Sequence, residues 1–137
     1  MPSGPLYSHL FIIDDDIEDQ EIFIEAVKEV SDDIHCSSST SGEEALHYLE
    51  HEAKKLPDLI FLDLNMPKLN GKQVLKEIKK RPSLKSIPVI MYSTSFAPRD
   101  IDEVKQIGAS HHLLKPSRFN DLCAALSQIL NQHWKAI

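Results

Sequence analysis

The chain is 137 residues long, with 42% hydrophobic and 26% charged residues, a composition that suits one globular domain and excludes a disordered, collagenous or coiled-coil chain. Its 15 basic and 21 acidic residues leave a net charge of −6, and no basic run could track a phosphate backbone, so no direct nucleic-acid partner is expected. No apolar stretch approaches the roughly 18 residues that span a bilayer, and the opening Met-Pro-Ser-Gly-Pro lacks the charged and apolar segments of a secretory signal. Cys36 and Cys123 show no CxxC spacing and read as buried thiols, which makes a reducing cytoplasm the expected compartment and leaves no membrane role.

Short apolar runs alternate with amphipathic stretches. Residues 10–13 form an apolar run, and from 17 to 30 the residues Ile22, Phe23, Ala26, Val27 and Val30 follow helical spacing. Residues 34–37 are a weak strand candidate. Ser41 and Glu44 have capping-box spacing ahead of a helix face of Ala45, Leu46 and Leu49. The run Leu59, Ile60, Phe61, Leu62 is uniformly apolar, as a strand covered on both faces should be. After a loop with Asn70 and Gly71 comes a helix carrying Val74, Leu75 and Ile78; residues 89–92 are the next strand, and Ile101, Val104 and Ile107 mark the next helix. Leu113 and Leu114 end a fifth strand, and Phe119, Leu122, Cys123, Leu126, Ile129 and Leu130 form the stripe of a last helix. Five successive βα units predict an α/β domain with a parallel sheet, too small for an eight-stranded barrel and therefore open and doubly wound. The site of such a sheet lies beyond the C-terminal ends of its strands.

The residues at those ends carry chemistry. Strand one ends in Asp14, Asp15 and Asp16, strand three in Asp63, strand four in Ser93, Thr94 and Ser95, and strand five in Lys115 and Pro116. Carboxylates brought that close either raise their pKa values or bind a cation. Oxygen ligands with no Cys or His among them suit Mg²⁺, and Lys115 adds a compact positive charge for an anionic oxygen.

The elements Ile-Ile-Asp-Asp-Asp (12–16), Asp-Leu-Ile-Phe-Leu-Asp-Leu-Asn-Met-Pro-Lys-Leu-Asn-Gly (58–71), Pro-Val-Ile-Met-Tyr-Ser (88–93) and Gly-Ala-Ser-His-His-Leu-Leu-Lys-Pro (108–116) together resemble the receiver domain of two-component response regulators. The resemblance implies a flavodoxin-like (βα)5 fold with strand order 2-1-3-4-5 over residues 7–132, no separate output domain, and a stand-alone regulator that is not itself an enzyme. It implies transfer of a phosphoryl group from a sensor histidine kinase or phosphotransfer protein to Asp63. Asp14 and Asp15 match the acidic pair, with Asp15 the direct Mg²⁺ ligand, and Asn65 matches the residue that gives its backbone carbonyl to the metal. Ser93 matches the switch hydroxyl and Lys115 the lysine that pairs with the phosphoryl group; the Lys115–Pro116 bond is expected cis. Output is expected through a protein contact on the face made by the fourth helix, fifth strand and fifth helix, where a homodimer can also form.

Several residues have plainer readings. Asp16 is expected as a helix N-cap. Asn70 and Gly71 read as turn chemistry before a helix, and His47 and His51, spaced i, i+4 without a third ligand, as a solvated face. Ile24 is placed off the buried stripe, and Trp134 is expected to pack. His112 stands where the family commonly has an aromatic residue; an imidazole changes charge near neutral pH, so the switch is expected to depend on pH. A phosphohydrolase with an aspartyl phosphate needs an acid two residues after its nucleophile, where this chain has Asn65. A flavodoxin-type redox protein needs a phosphate-accepting first loop, which Asp14, Asp15 and Asp16 would repel.

Overall fold

The computed structural model describes residues 6–136. Strands β1 (His9–Ile13), β2 (His35–Ser39), β3 (Leu59–Leu62), β4 (Val89–Ser93) and β5 (His111–Leu114) alternate with helices α1 (Ile17–Val30), α2 (Gly42–His47), α3 (Gly71–Lys80), α4 (Pro98–Ile107) and α5 (Phe119–Leu130). A π-helical turn, Tyr48–Glu52, continues α2. All strand pairs are parallel, in the order β2-β1-β3-β4-β5. This is the flavodoxin-like topology read from the sequence.

Strand side chains alternate between faces, and the core divides accordingly. Phe11 and Ile13 of β1 pack with α2, α3 and α4 through Ala45, Leu46, Val74, Leu75 and Val104. Leu10 and Ile12 pack on the other face with α1 and α5 through Phe23, Val27, Leu122 and Leu126. On that second face Phe23 sits 4.8 Å from Phe61 and 5.5 Å from Tyr92, ring centroid to centroid, in tilted geometries that aromatic pairs favour.

The helix starts follow local chemistry. Asp16 caps α1 by accepting the Asp19 N–H at 3.2 Å. Ser41 caps α2 by accepting the Glu44 N–H at 3.0 Å. Asn70 and Gln73 exchange reciprocal bonds of 3.0 and 2.8 Å at the start of α3, a full capping box. Pro98 opens α4, whose Asp100 carboxylate turns back to the Ala97 N–H at 2.9 Å. Gly108, at φ 128°, ends α4.

Four sequence expectations need correction. β2 runs from His35 to Ser39 rather than over 34–37; its three serines carry no apolar signal, but the register Ile13↔Ser39 extends the pairing. Ile22 is exposed whereas Ile24 is half-buried against the second core, because α1 meets α5 on the side of Gln20, Phe23 and Val27. Both cysteines are free but only half-buried. No cis peptide bond occurs among the described residues, so Lys115–Pro116 is trans. Lys115 still turns inward, since its N–H bonds the Ser93 carbonyl at 2.7 Å and continues the β4–β5 pairing.

Trp134 packs as expected. Its Nε1–H donates to the Ile129 carbonyl at 2.9 Å, and its ring stacks on His111 at 4.8 Å. Ser110 Oγ donates to the Lys135 carbonyl at 2.6 Å, and Tyr7 Oη donates to the Gln132 carbonyl and accepts the Trp134 N–H at 2.8 Å. Residues 132–135 thus pack against the start of β5.

Candidate functional site

The C-terminal ends of β1 and β3 bring Asp14, Asp15 and Asp63 together, each offering a carboxylate oxygen within 4.8 Å of the others. They are the only group of three such ligands among the described residues. His47 and His51, with rings 4.9 Å apart, belong to no such group. Asp14 is fully buried, Asp63 is 6% exposed and Ser93 is 1% exposed, while Asp15 faces solvent.

Asp14 is held at both oxygens: Oδ1 accepts the Asp16 N–H at 3.0 Å and Oδ2 accepts Lys115 Nζ at 2.6 Å. Lys115 also donates to Asp19 Oδ2 at 2.9 Å and lies 5.1 Å from the Tyr92 ring centroid. Asn65 donates its backbone N–H to Asp63 Oδ1 at 3.4 Å and its side-chain amide to Ser93 Oγ at 3.3 Å. The structure therefore brings together Asp14, Asp15, Asp63, Asn65, Ser93 and Lys115, with the ammonium bonded to Asp14 rather than to Asp63.

Burial pushes the Asp63 carboxyl up to about 6; the positive charge of Lys115 opposes this, and the negative charges of Asp14 and Asp15 add to it. Burial also raises Asp14, against its bonds to Lys115 and Asp16. Burial alone would lower Lys115, but its bonds to Asp14 and Asp19 outweigh it and keep the ammonium charged. A cluster in this state has room for a cation to take over the role of protons.

Two residues of the site escaped the sequence reading. Asp19 lies one turn into α1, where an acid reads as helix-dipole complementarity. Gln20 is buried, and its side-chain amide donates to the carbonyls of Asp14 and Ser39 at 2.7 Å each, joining the β1–α1 turn to the end of β2. Its signal was present: a polar residue on the stripe of Phe23 and Val27, which a core position tolerates only with its hydrogen bonds satisfied.

Beside the site, α1 and α5 leave an open cleft of about 590 Å³, lined by Asp19, Ile22, Tyr92, Lys115, Phe119 and Leu122 among others. Ile22 and Phe119 are 44% and 39% exposed there.

Loss of Lys115 would strand the buried Asp14 carboxylate. Lys115→Met is expected to lower folding stability by about 3 kcal/mol at pH 8, the usual cost of breaking a buried pair, and by less at a lower pH, as Asp14, whose carboxyl burial already raises, takes up its proton. Urea unfolding at the two pH values measures this; equal losses would mean the pair carries no such weight.

The family model of the response regulator receiver domain matches residues 10–127. This chain belongs to that family. Response regulator Rcp1 of Synechocystis sp. is 32% identical over 117 residues, 82% of this chain and 80% of that protein. A probable methanogenesis regulatory protein, FilR2 of Methanothrix harundinacea, is 35% identical over 96 residues, 68% of this chain; the match spans 61% of that longer relative. Among solved structures, the phosphorylated cyanobacterial phytochrome response regulator RcpA superposes with a TM-score of 0.81 at 32% identity, covering 90% of this chain and 91% of that one. The Mn²⁺-bound form of Rcp1 gives 0.79 at 29% identity, covering 89% and 91%. Receiver domains bind Mg²⁺ at an acidic pocket, and the all-carboxylate donor set of Asp14, Asp15 and Asp63 fits such a hard cation. Among the described residues no helix is long and apolar enough to cross a membrane.

Proposed function

We propose that this chain is a phosphorylation-switched receiver that takes a phosphoryl group from a histidine of a sensor kinase or phosphotransfer protein onto Asp63 and signals through protein contact in the cytoplasm. The observation that carries this reading is the buried Asp63 carboxyl set beside two further aspartates, with Ser93 and Lys115 on the neighbouring strand ends. An Asp63 oxygen bonds to phosphorus as the donor's P–N bond breaks, giving an acyl phosphate and a free imidazole. A carboxylate is a poor nucleophile toward a phosphoryl dianion unless their repulsion is neutralised. Asp14, Asp15, Asp63 and the Asn65 carbonyl would hold a Mg²⁺ ion, whose charge would offset that repulsion.

Lys115 is within reach of a new anion at this edge, and the Ser93 hydroxyl, now bonded to Asn65, is free to exchange that partner for a phosphoryl oxygen. Asn65 cannot act as the acid of a phosphohydrolase, which favours a switch over an enzyme. The cleft with Ile22 and Phe119 opens beside Lys115, and this supports docking of the donor there. The α4-β5-α5 face, where the His112 ring meets Phe96 edge-on at 5.3 Å, is the output surface of this reading.

The test is incubation with acetyl phosphate and Mg²⁺. An intact mass raised by one phosphoryl group and restored by hydroxylamine is the expected result, and a chain that never gains that mass defeats the reading. The metal ligands are tested separately. Asp15→Ala is expected to weaken Mg²⁺ binding about tenfold or more, since a solvent-open Mg²⁺ site depends on one or two carboxylates. Amide shifts during titration would show it, and an unchanged midpoint would remove Asp15 from the ligand set.

A further inference from the structure

At one edge of the sheet, among the described residues, β2 pairs with β1 alone. The His35 N–H bonds the Ser8 carbonyl at 2.9 Å and the Asp14 N–H bonds the Ser39 carbonyl at 3.1 Å, so the backbone groups of 35, 37 and 39 face β1. Alternation turns those of Cys36 and Ser38 outward, where they have no ladder partner among the described residues. Edge strands are usually guarded by lysine, proline or a bulge; β2 reads His-Cys-Ser-Ser-Ser and has none of these.

The surface flanking this edge is bipolar. Two adjoining clefts of about 620 and 530 Å³ share Tyr48 and Glu52. The first, at the Ser39 end, has exposed Glu43 and Glu44 in its wall. The second, at the His35 end, has exposed Lys54 and Lys55. A two-fold axis normal to the sheet would lay a second β2 antiparallel to the first. It would set Cys36 opposite Ser38 in both directions, with Ser37 opposite Ser37 at the axis. The same rotation brings the lysine end of each copy to the glutamate end of the other, so each contact occurs twice, as an isologous interface requires. Around the axis the side chains of Cys36, Ser37 and Ser38 are small and uncharged.

We propose that two copies of this chain join β2 to β2 in this register, continuing the two sheets into one, with Lys54 and Lys55 of each copy set against Glu43 and Glu44 of the other. This contact lies across the sheet from the α4-β5-α5 face and leaves that face free.

The test is light scattering and sedimentation of the full unphosphorylated chain over a range of concentrations. The mass is expected to rise from 15.5 kDa toward twice that value as concentration increases. Ser38→Pro removes an outward N–H that bonds nothing among the described residues, and should weaken the dimer at least tenfold. The charge variants cover the case in which that proline disturbs folding. Lys54→Glu with Lys55→Glu, and separately Glu43→Lys with Glu44→Lys, should each weaken self-association at least tenfold, because like charges then meet. An equal mixture of the two charge variants should recover it, because each supplies what the other lacks. A wild-type mass of one chain at every concentration overturns the proposal. So does a dimer that the charge variants leave intact, or a mixture that recovers nothing.

Discussion

Asp63→Asn is expected to gain no phosphoryl group from acetyl phosphate and, in metal-free buffer at pH 8, to be more stable than the parent chain. The first effect arises because an amide has no carboxylate oxygen to offer phosphorus. The second comes from the proton balance. The Asp63 carboxyl titrates at about 6 in the fold, because burial disfavours its charged form and Asp14 and Asp15 repel it, against about 3.9 in an unfolded chain. Between those values the folded state holds a proton that the unfolded state has lost, so stability falls as pH rises from about 4 to about 6 and stays lower above that. Two pKa units correspond to about 2–3 kcal/mol, which asparagine recovers by staying neutral. The melting temperature should rise by about 5 °C or more at pH 8, and much less at pH 4. Mg²⁺ should narrow the gap, because it stabilises the carboxylate and not the amide. Calorimetry at the two pH values with chelator decides it: an equal difference at both would show that Asp63 is not held in a strained charge state, and labelling of the variant would place the acceptor elsewhere.

Gly71→Ala is expected to lower stability by about 2–4 kcal/mol, at the upper end for a single substitution, and to slow labelling of Asp63. Gly71 opens α3 with its N–H on the Leu64 carbonyl at 2.9 Å. A Cβ there would lie 2.2 Å from the Asp63 carbonyl oxygen and 2.7 Å from Leu64 Cα. Both are backbone atoms that cannot rotate aside, so the loop carrying Asn65 must move, and Asp63 with it. Gly42→Ala is the control. Its Cβ would meet Val74 Cγ2 at 2.5 Å and the Leu69 carbonyl oxygen at 3.1 Å, neither as close as the 2.2 Å approach to backbone at Gly71, so a smaller loss and normal labelling are expected. Melting curves and initial labelling rates on the two variants measure the difference. Equal losses would mean that the close backbone approach at Gly71 is not what holds the loop.

The sheet and most of the site were legible because burial on both faces writes a continuous apolar word. Leu59, Ile60, Phe61 and Leu62 are all buried, and the first charged residue after such a word must lie at the sheet's end, as Asp14 and Asp63 do. Edge strands write no such word. The serines of β2 are placed by backbone pairing with β1, which composition does not encode. Helix faces were read to within a residue or two, and that margin was enough to exchange Ile22 and Ile24. Asp19 and Gln20 were missed for a different reason. Each acts through an atom of a residue distant in sequence, Lys115 for one and the Ser39 carbonyl for the other, and a one-dimensional reading assigns them to their own helix. The trans Lys115–Pro116 bond departs from what the resemblance implied, and the β5 register alone accounts for the inward lysine.

The packing of residues 132–135 against the start of β5 has a consequence for spectroscopy. Trp134 is the only tryptophan in the chain, and its neighbours, Tyr7 and His111, lie where β1 and β5 begin. The aspartates lie where β1 and β3 finish, at the opposite end of the sheet. Emission excited selectively from the tryptophan is therefore blind to what the aspartates bind until the change has travelled the length of β5. A Mg²⁺ titration that leaves the emission flat says nothing about occupancy. A phosphodonor that shifts it reports a rearrangement relayed to the start of β5, so the indole serves as a native probe of transmission rather than of chemistry.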